Sequence, residues 1–233
     1  MDLVYPLGTG SYWNNNELRF SLRSVEKHLA NVDKVWIIGI VPDWLQNINH
    51  IPYTDHVGKP PDYNMMKKLA QACQEYDLSE DFLYMNDDHY LLLAHDANAF
   101  PNYYHGTIEQ YLKGRGLDGY GKRCRNTLKS LNGNTTNYYD IHYPIQFNKV
   151  KFKELVVDAV DWNVPHAYII KSLYANKLKL DYLETVEVMD YKTNSIPPPE
   201  AKVFSSYPHM KDAVKLYLNE QFTTQSKYER VGP

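Results

Sequence analysis

Cysteine is nearly absent. The chain holds two, Cys73 and Cys124, far apart and outside any CxxC spacing. Zinc ribbons and dithiol redox motifs are therefore excluded. One disulfide stays open, but reduced thiols are expected of a cytoplasmic protein. Long apolar runs are also missing, and none approaches the ~18 residues of a membrane span. The start, "MDLVYPLG", is acidic at position 2 and has no basic opening, so no secretory leader and no membrane partner are expected. Positive charge is short as well. Lys and Arg total 25 against 28 Asp and Glu, a net charge of −3, which gives no global attraction to nucleic acid or anionic lipid. Phenylalanine is scarce, at 7, while tyrosine reaches 21. Tyrosine pairs an aromatic face with a hydroxyl and suits sugars, bases or a protein partner, though most copies serve as half-buried filler.

What is present is alternation. "LVYPLGTG" (Leu3–Gly10) reads as a buried strand and a Gly/Pro loop. "NNNELRFSLRSVEKHL" reads as an amphipathic helix with Leu18, Leu22, Val25 and Leu29 on one face and N-cap candidates at Asn14 to Asn16. "KVWIIGI" is apolar throughout, as in a strand covered on both faces. "INHIPY" is a shorter strand, a helix is expected over about 63–76, and "FLYM" (Phe82–Met85) is the next strand. This β-α-β-turn-β-α-β run predicts an α/β fold with a mostly parallel, doubly wound sheet, whose ligands bind beyond the carboxyl ends of the strands.

Later the pattern loosens. Residues 96–137 read as a mobile, partly helical insertion, "YYDIHYPIQFNK" as extended and "VPHAYIIKSLYANKL" as a helix. "LETVEVMDY" reads as a late strand, and "HMKDAVKLYLNEQF" as a final helix with Met210, Val214, Leu218 and Phe222 four apart. No repeat and no clear boundary divides the chain. The expectation is a single domain over 1–233, with halves 1–95 and 96–233.

The strand "FLYM" runs into Asn86, Asp87 and Asp88, and Tyr90–Leu93 then resumes as a short strand. Adjacent carboxylates at a strand end can bind a hard divalent metal, act as acid and base, or form a solvated turn. The flanking apolar runs favour a metal, because two carboxylates in a low-dielectric cleft repel unless a cation compensates them.

The same residues carry a resemblance. "NNNELRFSLRSVEKHL", then "KVWIIG…PDWL", then "FLYMNDD", resembles the core of the Stealth-type sugar-phosphate transferases and related phage-encoded glycosyltransferases of the nucleotide-diphospho-sugar (GT-A) fold. It covers residues 2–93 and continues more loosely through "YDIHYPIQF", "KSLYAN" and "VFSSYP". It implies a GT-A-like sheet and a nucleotide-diphosphate sugar donor. It also implies a DxD-type role for Asp88, with Asp87, in holding Mn²⁺ or Mg²⁺ against the diphosphate. The sequence departs from D-x-D in carrying Asn86 where the first Asp would stand, which leaves open which carboxylate meets the metal. GT-A enzymes often add a late His to that metal, and His142 is the candidate here, ahead of His166 and His209.

Other positions follow from chemistry. Gly8 and Gly10 allow close backbone approach to a nucleotide. Arg19 and Arg23 either face phosphate or pair with neighbouring Glu residues on a solvated face. Lys59 suits phosphate, and Asn64 and Asn86 suit base or sugar. Asp87 and Asp140 are the catalytic candidates, Asp140 as a base for an acceptor hydroxyl. The basic run Lys122–Lys129 is either an acceptor contact or a solvated face. The expected activity is metal-dependent glycosyl transfer to a modified phage DNA base, a virion protein or a glycan, in bacterial or host cytoplasm. Sugar-1-phosphate transfer is the enzymatic alternative, disfavoured because the larger Stealth proteins carry further blocks that this chain lacks. A non-catalytic carbohydrate- or partner-binding module is the other alternative.

Overall fold

The computed structural model describes residues 1–75, 77–116, 118–180, 182–184 and 191–230. Its centre is a five-stranded sheet. Strand β1 (Asp2–Leu7) lies in the middle, between β2 (Val35–Gly39) and β4 (Asp81–Tyr84), and β3 (Asn49–Ile51) forms one edge beyond β2. These four run parallel, in register from Leu3 against Val35 and from Asp2 against Phe82. The other edge is β6 (Ile145–Asn148), antiparallel to β4. The fold is thus α/β with a mostly parallel sheet flanked by helices, as the alternation of the sequence predicts. Leu3, Val4, Tyr5, Ile37, Ile38, Phe82 and Leu83 have no exposed surface. Such strands are covered on both faces, which is why they read as continuous apolar runs.

Helix α1 (Asn16–His28) packs Leu18, Leu22 and Val25 inward; Leu29 follows in a two-residue strand and is buried too. Its capping differs from expectation. Asn14 and Asn15 take left-handed backbone, which Asn tolerates, and Asn15 makes no side-chain cap. Ser11 organises the turn instead. Its hydroxyl accepts from the backbone N–H groups of Trp13 and Asn15 and donates to Glu17. Helix α2 (Pro61–Ala72) opens with Pro at its first position, where no N–H is needed, and is shorter than the 63–76 expected.

The acidic stretch leads into β5 (His89–Leu91), which belongs to a second, three-stranded sheet. There β8 (Val203–Ser206) lies between β5, antiparallel, and β7 (Tyr191–Thr193), parallel. The expected late strand over 183–191 is described only at its two ends. Leu183–Glu184 pairs with Tyr103–Tyr104, Tyr191 begins β7, and 185–190 lie outside the described residues. Region 96–137 contains α3 (Ile108–Leu112) and α4 (Gly119–Leu131). In α4 the basic run resolves by face. Lys122, Arg125 and Lys129 point to solvent, while Cys124 and Thr127 are buried. Helices α5 (Lys149–Ala159), α6 (Ile170–Lys177) and α7 (Asp212–Gln221) complete the chain, and Met210, Val214, Leu218 and Phe222 are all buried in one cluster.

Candidate active site

The parallel strands end at one edge, and a cleft of about 540 Å³ opens there. The loop after β1 supplies Gly8, Thr9, Gly10 and Ser11, and the turn after β4 supplies Asn86, Asp87 and Asp88. Lys59, Asn64 and Lys68 come from α2 and the loop before it, and Tyr207 and Pro208 follow β8. Ligands of open parallel sheets bind at this edge because the loops there diverge above the strand ends.

Two glycines fix the floor. Gly39 ends β2 with φ +120°, a conformation closed to other residues, and a Cβ there would run into the Leu7 carbonyl. That carbonyl accepts from Lys68 Nζ at 2.8 Å, and Nζ also meets Asp55 Oδ1 at 2.6 Å. A Cβ on Gly8 would sit 3.2 Å from Asp55 Oδ2, so glycine keeps this wall open. Asn64 is buried and reaches across the loop. Its Oδ1 accepts from His56 N–H at 2.8 Å, which pins the segment presenting Asp55 and Lys59.

The acidic pair occupies a tight turn closed by His89 N–H donating to the Asn86 carbonyl at 3.2 Å. Asn86 Oδ1 accepts from Tyr84 OH. Asp88 Oδ2 accepts from Ser205 Oγ at 2.7 Å and from Lys192 Nζ at 3.3 Å. Its other oxygen, Oδ1, is buried with no hydrogen-bond partner among the described residues. Burial opposes the charge on Asp88, but Lys192, His89 and the Ser205 hydroxyl outweigh it and hold the carboxyl below its ordinary range. Asp87 responds the other way. Burial, then Asp88, then Glu17 push it up to about 7. His89 is fully enclosed, and burial drives it well below the usual imidazole value. His142 is half-buried, and its charge acts on both Asp88 and His89.

Gly8, Gly10, Lys59, Asn64, Asn86, Asp87 and Asp88 thus share one cleft despite their separation in sequence. Four expected positions, Arg19, Arg23, Asp140 and His142, do not line it. Arg19 and Arg23 both turn to Glu229 instead. Arg23 binds it through Nε and Nη2, and Arg19 reaches it at 3.4 Å with its guanidinium over Trp44. Asp140 does not line the cleft. Its Oδ2 accepts from the backbone N–H and hydroxyl of Ser172, both in the first turn of α6. That turn has unsatisfied N–H groups, and a carboxylate there completes them. Asp140 therefore serves the first turn of α6.

Glu17, Asp55, Lys68, Ser205 and Lys192 were not expected at the site. Ser205 lies in "VFSSYP", inside the looser resemblance, while Lys192 carries no signal in the sequence. Among the described residues no group of three or more His, Cys, Asp or Glu side chains is arranged to hold a metal ion by itself. No described helix is long and apolar enough to cross a membrane.

No family model matches the chain, and no curated protein matches it. Among solved structures it is similar to an active-site mutant of LgtC, at 14% identity and a TM-score of 0.49 over 97% of this chain and 98% of that one. It is similar also to the galactosyltransferase LgtC in complex with donor and acceptor sugar analogues, at 14% identity and a TM-score of 0.48 over the same shares.

Proposed function

We propose that the protein is a metal-dependent glycosyltransferase of GT-A type, which moves a sugar from a nucleotide diphosphate to an acceptor hydroxyl in the cytoplasm. One observation carries the reading. The glycine loop after β1 and the acidic turn after β4 converge on one cleft at the carboxyl edge of the sheet, and Asp88, which lines it, keeps its buried Oδ1 without a hydrogen-bond partner among the described residues. An orphaned, buried carboxylate oxygen is costly unless a cation or donor completes it. Its hard oxygen chemistry fits Mn²⁺ or Mg²⁺.

In this reading Asp88 is the principal metal ligand, and Asp87 either shares the metal or contacts the transferred sugar. His142 is the candidate third ligand. Bound there, the cation supplies positive charge to the diphosphate as it leaves. The chain's own residues position the donor. Gly8 and Gly10 let the nucleotide approach the backbone, Lys59 meets phosphate, and Asn86 meets the sugar. Asn64 acts through the loop it pins. Lys68 holds Asp55 in the wall.

The test is a panel of UDP- and GDP-sugars incubated with the protein and Mn²⁺ but no acceptor. Slow release of the nucleoside diphosphate and free sugar is expected, and it should stop with chelator. Release of a nucleoside monophosphate and sugar-1-phosphate would point instead to sugar-phosphate transfer. If no nucleotide raises the melting temperature with or without metal, a binding module remains and the enzymatic reading is lost.

A further inference from the structure

We infer that Lys192 is a built-in counter-ion of the acidic turn, seated on Asp88 in the donor-free protein and displaced when a divalent cation takes the carboxylates. The inference rests on the metal site of the reading above, and the nucleotide enters only its second arm.

Glu17, Asp87 and Asp88 all line the cleft, and like charges gathered in one cleft repel. A compensating cation is needed near them. The cleft's other ammonium groups are engaged elsewhere. Lys68 Nζ is bound to Asp55 and the Leu7 carbonyl, and Lys59 Nζ sits 4.9 Å above the Tyr63 ring. Arg123 is paired with Asp62 on the cleft wall. Among the described residues Lys192 is the salt-bridge partner of Asp88.

The two oxygens of Asp88 are used unequally. Oδ2 carries both Ser205 Oγ and Lys192 Nζ, while Oδ1 carries no hydrogen bond. A dication can approach Oδ1 with the neutral Ser205 hydroxyl still in place. It cannot do so with an ammonium held on the neighbouring oxygen, because the two positive charges repel at contact distance. Lys192 can move. Its side chain keeps 25% of its surface exposed, and its four-carbon stem is flexible. Nζ already lies 5.7 Å from the ring of Tyr207, which lines the cleft, so a short swing leaves the charge facing whatever anion fills it. The Asp88 charge is thereby offset in the metal-free site, bare cation binds weakly, and cation with diphosphate binds strongly, since the anion compensates both positive groups.

The experiment titrates Mn²⁺ into nucleotide-free wild type, Lys192→Met and Lys192→Arg, read by calorimetry or by the paramagnetic signal of free Mn²⁺. Lys192→Met should bind Mn²⁺ about tenfold or more tightly, because the competing charge is gone, and Lys192→Arg should stay within about twofold of wild type. In the second arm, UDP and GDP are titrated at saturating Mn²⁺, and Lys192→Met should bind the nucleotide several-fold more weakly. Unchanged or weaker Mn²⁺ affinity in a Lys192→Met protein that melts like wild type would overturn the inference, as would no Mn²⁺ binding at millimolar concentration by any of the three. Should Lys192→Met melt early, Lys192→Gln replaces it under the same criteria. If the Mn²⁺ arm succeeds while neither nucleotide binds any variant, the counter-ion stands and the glycosyltransferase reading fails.

Discussion

Arg23 grips Glu229 with two nitrogens, Nε on one carboxylate oxygen and Nη2 on the other, each at 2.7 Å. The pair joins α1 to a segment over two hundred positions later. Glu229 is almost wholly buried, and it also accepts from the Ser226 N–H. Burial raises its pKa, but the Arg23 hydrogen bonds and the Ser226 amide prevail, so the carboxyl sits below its ordinary range.

Glu229→Ala would strand two guanidinium groups in a largely buried site. Breaking such a pair from one side costs roughly 3–5 kcal/mol, with the lower end expected because Arg19 keeps 26% of its side chain exposed. Urea denaturation at pH 7 measures it. The sign of the pH effect follows from the depressed pKa. The stabilisation is present above the ordinary Glu value of about 4.3 and is lost as pH falls through the lower folded value. Wild type should therefore lose stability as pH falls below about 4.3, and the Glu229→Ala protein should show a shallower decline over the same acid range.

Gly39→Ala should destabilise by about 2 kcal/mol or more. It forces a Cβ into the Leu7 carbonyl at a φ that L-residues avoid, and sites of this kind carry about 1–3 kcal/mol of strain before any clash. A thermal melt reads the loss. The same shift should disturb the Lys68 bond to that carbonyl, so donor KM should rise in whatever protein remains folded.

Asp88→Asn keeps size and shape while removing the charge. Turnover should fall by about a hundredfold or more, in line with losing one strong transition-state stabiliser at ~2.7–4 kcal/mol. Metal-dependent nucleotide affinity should fall with it, measured by titration at fixed Mn²⁺. Full activity in Asp88→Asn together with loss in Asp87→Asn would reverse the assignment within the pair. Activity in the double variant would reduce the turn to a structural one.

Ser205→Ala removes the hydroxyl that orients Asp88 from 2.7 Å. Groups that orient metal ligands are typically worth 10–100-fold, so kcat/KM should drop by about tenfold and the Mn²⁺ concentration for half-activity should rise. The melting temperature should move little, because a small hydroxyl is lost from a strand that is paired on both sides.

How much of this was legible in sequence depends on distance along the chain. Strands β1, β2 and β4 show themselves because their residues are buried on both faces and must be apolar without interruption. The acidic turn was legible for the opposite reason, since two carboxylates interrupt such a run. Arg19 and Arg23 misled because four-residue spacing on a helix says which residues are neighbours but not what faces them. Their partner, Glu229, lies in a different part of the chain. Asp140 misled similarly. A carboxylate between apolar residues suits a catalytic base and a helix cap equally, and its partner Ser172 lies about thirty positions further along the chain. Lys192 gave no sign at all, because a lysine on a short strand reads as an ordinary solvent-facing residue.

The acidic turn is encoded before residue 90, yet the groups that neutralise and orient it, Lys192 and Ser205, come from β7 and β8. Contacts spanning more than a hundred residues form late, because the loop they close is long and entropically costly. On the way to the folded state, the first sheet can therefore collapse with Asp87 and Asp88 still hydrated on its open edge. The second sheet then docks and converts them from two solvated side chains into an electrostatic device. The timing of synthesis reinforces this order, since the turn leaves the ribosome several seconds before β8 does at the usual rates of elongation.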